Sequence, residues 1–209
     1  MSHRNFIFIT VCLALVVLSP LQAKESHSYA LQDGDIVFSG SASGQGAAIS
    51  AATGSPITHC GVVFKKDNSW MVLEAVQPVK ITTLENFMAR ADKETFKAFR
   101  LKNAITAEAY QKASKWGKEQ IGLDYDIRFG WDDKKLYCSE LVWKFYQQAG
   151  VELCELRKFR DYDLQQPTVK KIIEQRYGGM DKLPMDEKIV APSDLLASDL
   201  LVEVPQNKK

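Results

Sequence analysis

The chain has 209 residues, of which 45% are hydrophobic and 25% charged, enough apolar material for a real core. Lys and Arg number 27 against 26 Asp and Glu, a formal net charge of +1. That balance, with no Lys/Arg-rich run, argues against a nucleic-acid or other polyanionic partner.

The first segment reads as an address. Arg4 precedes an apolar run from Phe6 to Leu18, followed by Ser19-Pro20-Leu21-Gln22-Ala23 and Lys24. A basic start, a short apolar stretch and a small residue before the cut describe a signal peptide over residues 1–23. The run is short for a membrane span, and no cysteine follows it to take a lipid, so no stable membrane anchor is expected after cleavage. The alternative is a retained N-terminal anchor. Cleavage between Ala23 and Lys24 predicts a periplasmic or secreted protein, with residues 24–209 forming a single domain. Cys60, Cys138 and Cys154 then remain, so at least one thiol stays unpaired within the monomer. Only His27 and His59 survive among the histidines. No His/Cys/Asp grouping has zinc-like spacing, and a P-loop and dinucleotide fingerprint are absent, so neither a metal nor a cofactor is expected.

Past the leader, Asp33-Gly34-Asp35 predicts a turn into a strand at Ile36-Val37-Phe38. Asp35 is expected to organise that turn through its side chain. Ser39 to Gly46 is small and loop-like. A short helix over Ala47 to Thr53 ends at Gly54-Ser55-Pro56. Ile57 to Phe64 and Trp70 to Val76 read as strands joined through Lys65 to Asn68. Thr82-Thr83-Leu84-Glu85 has the form of a capping box. A strand is predicted over Thr95 to Leu101. Thr106 caps a helix through Ile121, with Gly122 as its stop. A further helix runs from Cys138 to Ala149 and stops at Gly150. Another spans Gln165 to Tyr177, with Pro167 near its start and Gly178-Gly179 at its end. Helices mixed with hairpin strands predict an α+β fold.

Chemistry concentrates in three places. If Lys65 to Asn68 form a four-residue loop, Phe64 faces Ser69, and counting back along both strands sets His59 directly opposite Glu74. Cross-strand neighbours share a face at about 4.5–5.5 Å between Cβ atoms, so the carboxylate can accept one imidazole N–H and fix the tautomer. Alternation turns Cys60 to the other face with Val62 and Phe64, as a core residue. Cys138, Leu141, Val142, Phe145 and Ala149 form an apolar helical stripe with the thiol in the first turn. A helix N-terminus and a neighbouring imidazolium both favour thiolate. Each of these residues alone has an ordinary structural reading. Together they predict a catalytic set of Cys138, His59 and Glu74.

Gly34-Asp35-Ile36-Val37, Thr58-His59-Cys60-Gly61-Val62-Val63, Leu73-Glu74-Ala75, Tyr125-Asp126 and Tyr137-Cys138-Ser139-Glu140-Leu141-Val142 resemble the YaeF/YiiX family, permuted papain-like proteins of the NlpC/P60 superfamily. The resemblance implies a circularly permuted papain-like fold, an antiparallel sheet packed on helices. It implies Cys138 as nucleophile, His59 as base and Glu74 as orienter, acting on an amide or ester carbonyl by hydrolysis or transfer. It implies a small peptide, cell-wall or lipid-derived acyl substrate. Tyr137 and Tyr125 are substrate-binding candidates, with packing and loop-shaping as their alternatives. A non-catalytic binding module for a peptide or fatty-acyl ligand is the competing reading. A thiol-disulfide oxidoreductase is disfavoured by the lack of Cys-x-x-Cys.

Overall fold

A computed structural model describes residues 29–206, except 43 and 93. The predicted signal peptide and His27 lie outside the described residues. Six strands form one antiparallel sheet: β1 (Ile36–Ser39), β2 (His59–Lys66), β3 (Ser69–Ala75), β4 (Val79–Thr83), β5 (Lys97–Leu101) and a late strand, Leu201–Glu203. Between β1 and β2 runs α1 (Gly44–Thr53). Then come α2 (Leu84–Ala89) after β4, α3 (Ala107–Glu119) and α4 (Cys138–Gln148). The C-terminal part adds β6 (Arg157–Lys158), α5 (Pro167–Tyr177), β7 (Lys188–Ile189), α6 (Pro192–Leu196) and the late strand, β8. The main sheet runs β4-β3-β2-β1-β5-β8, and β6 pairs with β7 apart from it. This is the expected α+β fold.

The sheet has two unlike sides, as alternation requires. Ile36, Phe38, Cys60, Val62, Leu73, Ala75 and Val79 face the main core, where Leu141, Val142 and Phe145 of α4 pack, with Ala113 of α3. Val37, Val63, Val72 and Ala98 face the other way, into a smaller cluster closed by Phe87 of α2, Tyr29 and Val204. A third cluster forms around α5 from Val169, Ile173, Phe159, Leu164, Leu183 and Ile189. Asp35 is buried and organises its turn as expected: it accepts from the Gln32 N–H at 2.8 Å and takes the Arg100 guanidinium at 2.7 and 2.8 Å.

The β2–β3 hairpin corrects the predicted loop. Lys66 pairs with Ser69, leaving only Asp67 and Asn68 in the turn, at φ 46° and 65°. Two successive positive φ values make a type I′ turn, which twists with the flanking strands and suits Asp and Asn. Lys65 and Lys66 therefore continue β2. Val62 then pairs with Leu73, so the residue facing Glu74 is Gly61 and not His59. The shift is two residues, so His59 and Glu74 stay on one face, as diagonal neighbours. The helix cap also moves by one. Thr83 is the N-cap of α2 and accepts from the Asn86 N–H at 3.2 Å, which releases Thr82 for another task.

Gly61 is the residue that this register needs small. A Cβ there would stand 2.5 Å from Val72 Cγ1, 2.8 Å from the Leu73 carbonyl oxygen and 3.3 Å from Glu74 Cβ. Gly61→Ala is expected to cost about 1–3 kcal/mol by overpacking against backbone. It should also push Glu74 off its diagonal path. Urea denaturation of the variant, with alkylation rates for Cys138, checks both effects.

Candidate active site

His59 opens β2, paired with Ser39 of β1. Its Nε2 lies 2.6 Å from Glu74 Oε2. Phe87 of α2 stacks on the ring at 5.3 Å between centroids and 24° between planes, which sets the plane of the imidazole. With Nε2 engaged by the carboxylate, Nδ1 is the nitrogen left for Cys138, whose sulfur acts on the imidazole electrostatically.

Glu74 is fully buried. Besides His59 it accepts from Thr82 Oγ1 at 2.6 Å and pairs with the Arg90 guanidinium at the end of α2. Burial alone would push this carboxyl up. The His59 hydrogen bond and charge, Thr82 and Arg90 outweigh it and hold the group down at about 2. Burial alone would likewise push the His59 imidazolium down. Hydrogen bonds to Cys138 and Glu74, with their charges, raise it instead to about 9.

Cys138 is the first residue of α4 and 2% exposed. The α4 backbone is fixed at that end by Tyr137, whose N–H donates to Glu140 Oε2 at 3.3 Å. Ser139 Oγ donates to the Val190 carbonyl at 2.7 Å, and the Val190 N–H returns to Tyr137 Oη at 3.2 Å. The Cys138 thiol is held well below the ordinary thiol range. The Cys60 thiol, hydrogen-bonding to its sulfur, is the largest cause, followed by His59 and by the Cys60 N–H, all against the cost of burial. Cys60 itself is pushed well up, chiefly by burial. Cys60 is thus the predicted core residue on the α4 side of the sheet, but also a direct neighbour of the nucleophile candidate. That contact was not anticipated from the sequence. Cys154 is partly buried, and all three thiols are free, so Cys60 is not bonded to Cys154.

Cys138 also lines a narrow cavity with almost wholly apolar walls. Ile49 of α1, Phe129, Tyr137, Ile173 of α5 and Val190 contribute to it, with Gln45, Tyr125 and Arg176 among its polar members. Tyr125 and Tyr137 both reach it. Arg176 donates to Gln45 Oε1, and Gln45 Nε2 donates to Tyr125 Oη at 2.7 Å. The phenol oxygen is thereby used as an acceptor, and its O–H is left to donate into the cavity that Cys138 also lines. Asp126 shapes the loop, accepting from the Arg128 and Gly130 N–H groups at 2.8 and 2.7 Å. Tyr137 packs edge-on to Phe129 as well as lining the cavity.

An antiparallel sheet packed on a helix that begins with a buried cysteine, beside a histidine backed by a carboxylate, is the papain-like arrangement, run here with histidine before cysteine. The comparisons name it more closely. The chain belongs to the family of permuted papain-like amidases described as YaeF/YiiX, C92, which it matches over residues 30–204. It is 35% identical over 191 residues to the uncharacterized protein YiiX of Escherichia coli strain K12, covering 91% of this chain and 94% of that one. It also superposes with a TM-score of 0.78 on the crystal structure of metalloprotein yiiX from Escherichia coli O157:H7, at 35% identity, covering 85% of this chain and 98% of that one. Among the described residues no group of three or more His, Cys, Asp or Glu side chains is placed to hold a metal ion. The donors around His59 are spent on one another instead.

The shifted groups fix the pH response. Glu74 is depressed from 4.5 to about 2, so its contribution to stability is present above pH 4.5 and is lost as pH falls toward about 2. His59 is raised from 6.5 to about 9, so its contribution is present below pH 6.5 and is lost as pH rises toward about 9. Urea midpoints measured across pH should fall on both sides, and Glu74→Gln should flatten the acid side. Iodoacetamide should label Cys138 in the folded protein at neutral pH, and Cys60 only on unfolding.

Proposed function

We propose that this protein is an exported cysteine hydrolase that cleaves an amide or ester of an apolar acyl group through a thioester. The observation that carries the reading is the His59 imidazole, bonded at 2.6 Å to a buried carboxylate and raised in pKa by that carboxylate and by its other electrostatic neighbour, Cys138. The resting pair is a Cys138 thiolate and a His59 imidazolium. The thiolate attacks the carbonyl carbon. The oxyanion accepts from the Cys138 backbone N–H, unpaired at the helix start, and from the Tyr125 O–H. His59 Nδ1 then protonates the departing amine or alkoxide, and a thioester remains on Cys138. Water enters, gives its proton to His59 and releases the acid. Glu74 stays ionised throughout, because Thr82 and Arg90 hold it when the imidazole is neutral.

The acyl portion of the substrate lies in the cavity beside Cys138, whose walls are almost wholly apolar and whose guanidinium, Arg176, is engaged by Gln45 and the Ile127 carbonyl. A lipid-derived acyl chain or an apolar side chain of a cell-wall peptide fits that chemistry. Export follows from the leader over residues 1–23, and N-terminal sequencing of protein from the periplasm should read from Lys24. One relative is described as a metalloprotein; among the described residues here no three His, Cys, Asp or Glu donors converge, and the mechanism routes no step through a metal.

A panel of N-acyl amides, lipid esters and muropeptides tests the reading, with rapid quench and mass spectrometry to trap an acyl adduct on Cys138. Cys138→Ala should fold with about 1 kcal/mol or less of lost stability. Its turnover should fall by several orders of magnitude, with the loss on removing His59 as well far from additive. Glu74→Gln should cost about 10- to 1000-fold, since Gln can orient the ring but not balance its charge. Near-wild-type turnover in Cys138→Ala would end the thiol-enzyme reading. An acyl ligand that binds wild-type protein and is never turned over would favour a non-catalytic binding module.

Tyr125→Phe separates the oxyanion role from loop-shaping. It should lower kcat by about 10²-fold with KM little changed, the pattern of a donor used only in the transition state. A loop-shaping residue would instead raise KM and lower the urea midpoint.

A further inference from the structure

Two consecutive residues of β2 meet the same sulfur. Alternation turns His59 and Cys60 to opposite sides of the strand, and Cys60 is buried with Cys138 in the cluster where α4 packs on β2; both residues act electrostatically on the Cys138 sulfur. Cys138 is the first residue of α4, which packs against β2, the strand that His59 and Cys60 open. The mechanism above uses His59 and leaves the Cys60 thiol without a task. Cys60 is wholly buried, sits in the same apolar cluster as Cys138 and forms no disulfide with Cys154. A plain core position would be served by any small apolar side chain.

Access differs between the two thiols. Cys138 lines the cavity and Cys60 does not. A small reagent arriving through the cavity meets the Cys138 sulfur first, with Cys60 behind it. Their protonation states differ in the same sense. Cys138 is held toward thiolate and Cys60 toward thiol. That is the arrangement of an oxidisable thiolate with a resolving partner.

We propose that Cys60 and Cys138 form a reversible oxidation site, in which a hydroperoxide oxidises the Cys138 sulfur and Cys60 closes on it as a disulfide that blocks turnover. The proposal rests on the reading of Cys138 as a reactive thiolate. The Cys138 thiolate attacks the outer oxygen of the hydroperoxide. The O–O bond breaks, and the alkoxide or hydroxide leaves with a proton from the His59 imidazolium. Cys138 is then a sulfenic acid, oxidised by two electrons. The Cys60 sulfur attacks the sulfenic sulfur. The S–O bond breaks, and hydroxide departs with the Cys60 proton as water. The two thiols have lost two electrons together, and the hydroperoxide has become an alcohol, or water, plus a second water. A dithiol such as dithiothreitol reverses the last bond by exchange. Without Cys60, the sulfenic acid stays exposed to a second hydroperoxide and passes to the sulfinic acid, which dithiols do not reduce.

The test uses the whole mature protein and hydrogen peroxide. Peptide mapping of treated wild-type protein should show a Cys60–Cys138 linkage with loss of two hydrogen atoms. Cys138 alkylation should be lost with it, and dithiothreitol should restore that labelling almost completely. Cys60→Ser and Cys60→Ala, treated alike, should carry a sulfinic acid on Cys138 and recover no labelling. Two Cys60 variants are used because one of them can disturb the core, and the wild-type mapping needs neither. Treated wild type that lacks the linkage would overturn the proposal, as would Cys60 variants that recover as fully as wild type. Turnover and labelling of untreated protein report on the enzyme reading separately. A protein that labels at Cys138 and turns over substrate but never forms the linkage keeps its proposed function and loses the oxidation site.

Discussion

Glu74 carries its carboxylate with no solvent exposure, where an ion stripped of its partners would cost several kcal/mol. The surrounding fold supplies those partners from three separate pieces of chain. β2 provides His59, β4 provides Thr82, and α2 provides both Arg90 and the Phe87 ring that holds the imidazole in plane. Two of the three polar partners are neighbours in the sheet, so the strand order β4-β3-β2 is what makes the arrangement possible. Arg90 is half exposed and Thr82 is neutral. Neither replaces the imidazolium, and the His59 pairing therefore remains the dominant interaction of the buried acid.

The same sheet solves a second problem. The proposed base and its orienter lie on one side of a strand, while the proposed nucleophile rides on a helix packed against the other side. Placing His59 at the very start of β2 and Cys138 at the very start of α4 brings both ends together at one point. Helix starts also carry unpaired N–H groups, so the position that brings the sulfur to the imidazole also brings donors to the place where negative charge develops. Chain order is irrelevant to this geometry, and histidine can precede cysteine without penalty.

Periodicity made much of this readable in advance. The stripe through Cys138, Leu141, Val142 and Phe145 announced α4 and its buried thiol, and strand alternation placed His59 and Glu74 on one side of the sheet. The register was less readable. A four-residue loop and a two-residue type I′ turn fit Lys65 to Asn68 equally well until φ at Asp67 and Asn68 is known. The error survived harmlessly because it was even, and Gly61 gave Glu74 room to reach along the diagonal. Thr82 was hidden by Thr83, since either threonine could serve as a helix cap. β4 was masked by the same capping pattern. Arg90, Phe87, Gln45 and Arg176 had no local signal, because each acts across a tertiary contact.

Cys60 shows where a correct local reading stops short. Alternation put it on the apolar face, where it lies, and a buried cysteine there reads as an inert small hydrophobe. What changes its meaning is the neighbour that α4 brings to it. A thiolate beside apolar walls has few waters to solvate it, so each fixed donor counts for more than it would at a surface. The Cys60 thiol and N–H, the imidazole and the Tyr125 phenol take over the role of that missing water at the Cys138 sulfur. Three of these four donors come from two adjacent residues of one strand. The start of β2 therefore sets the position of the proposed base and, with it, the polarity around the Cys138 sulfur.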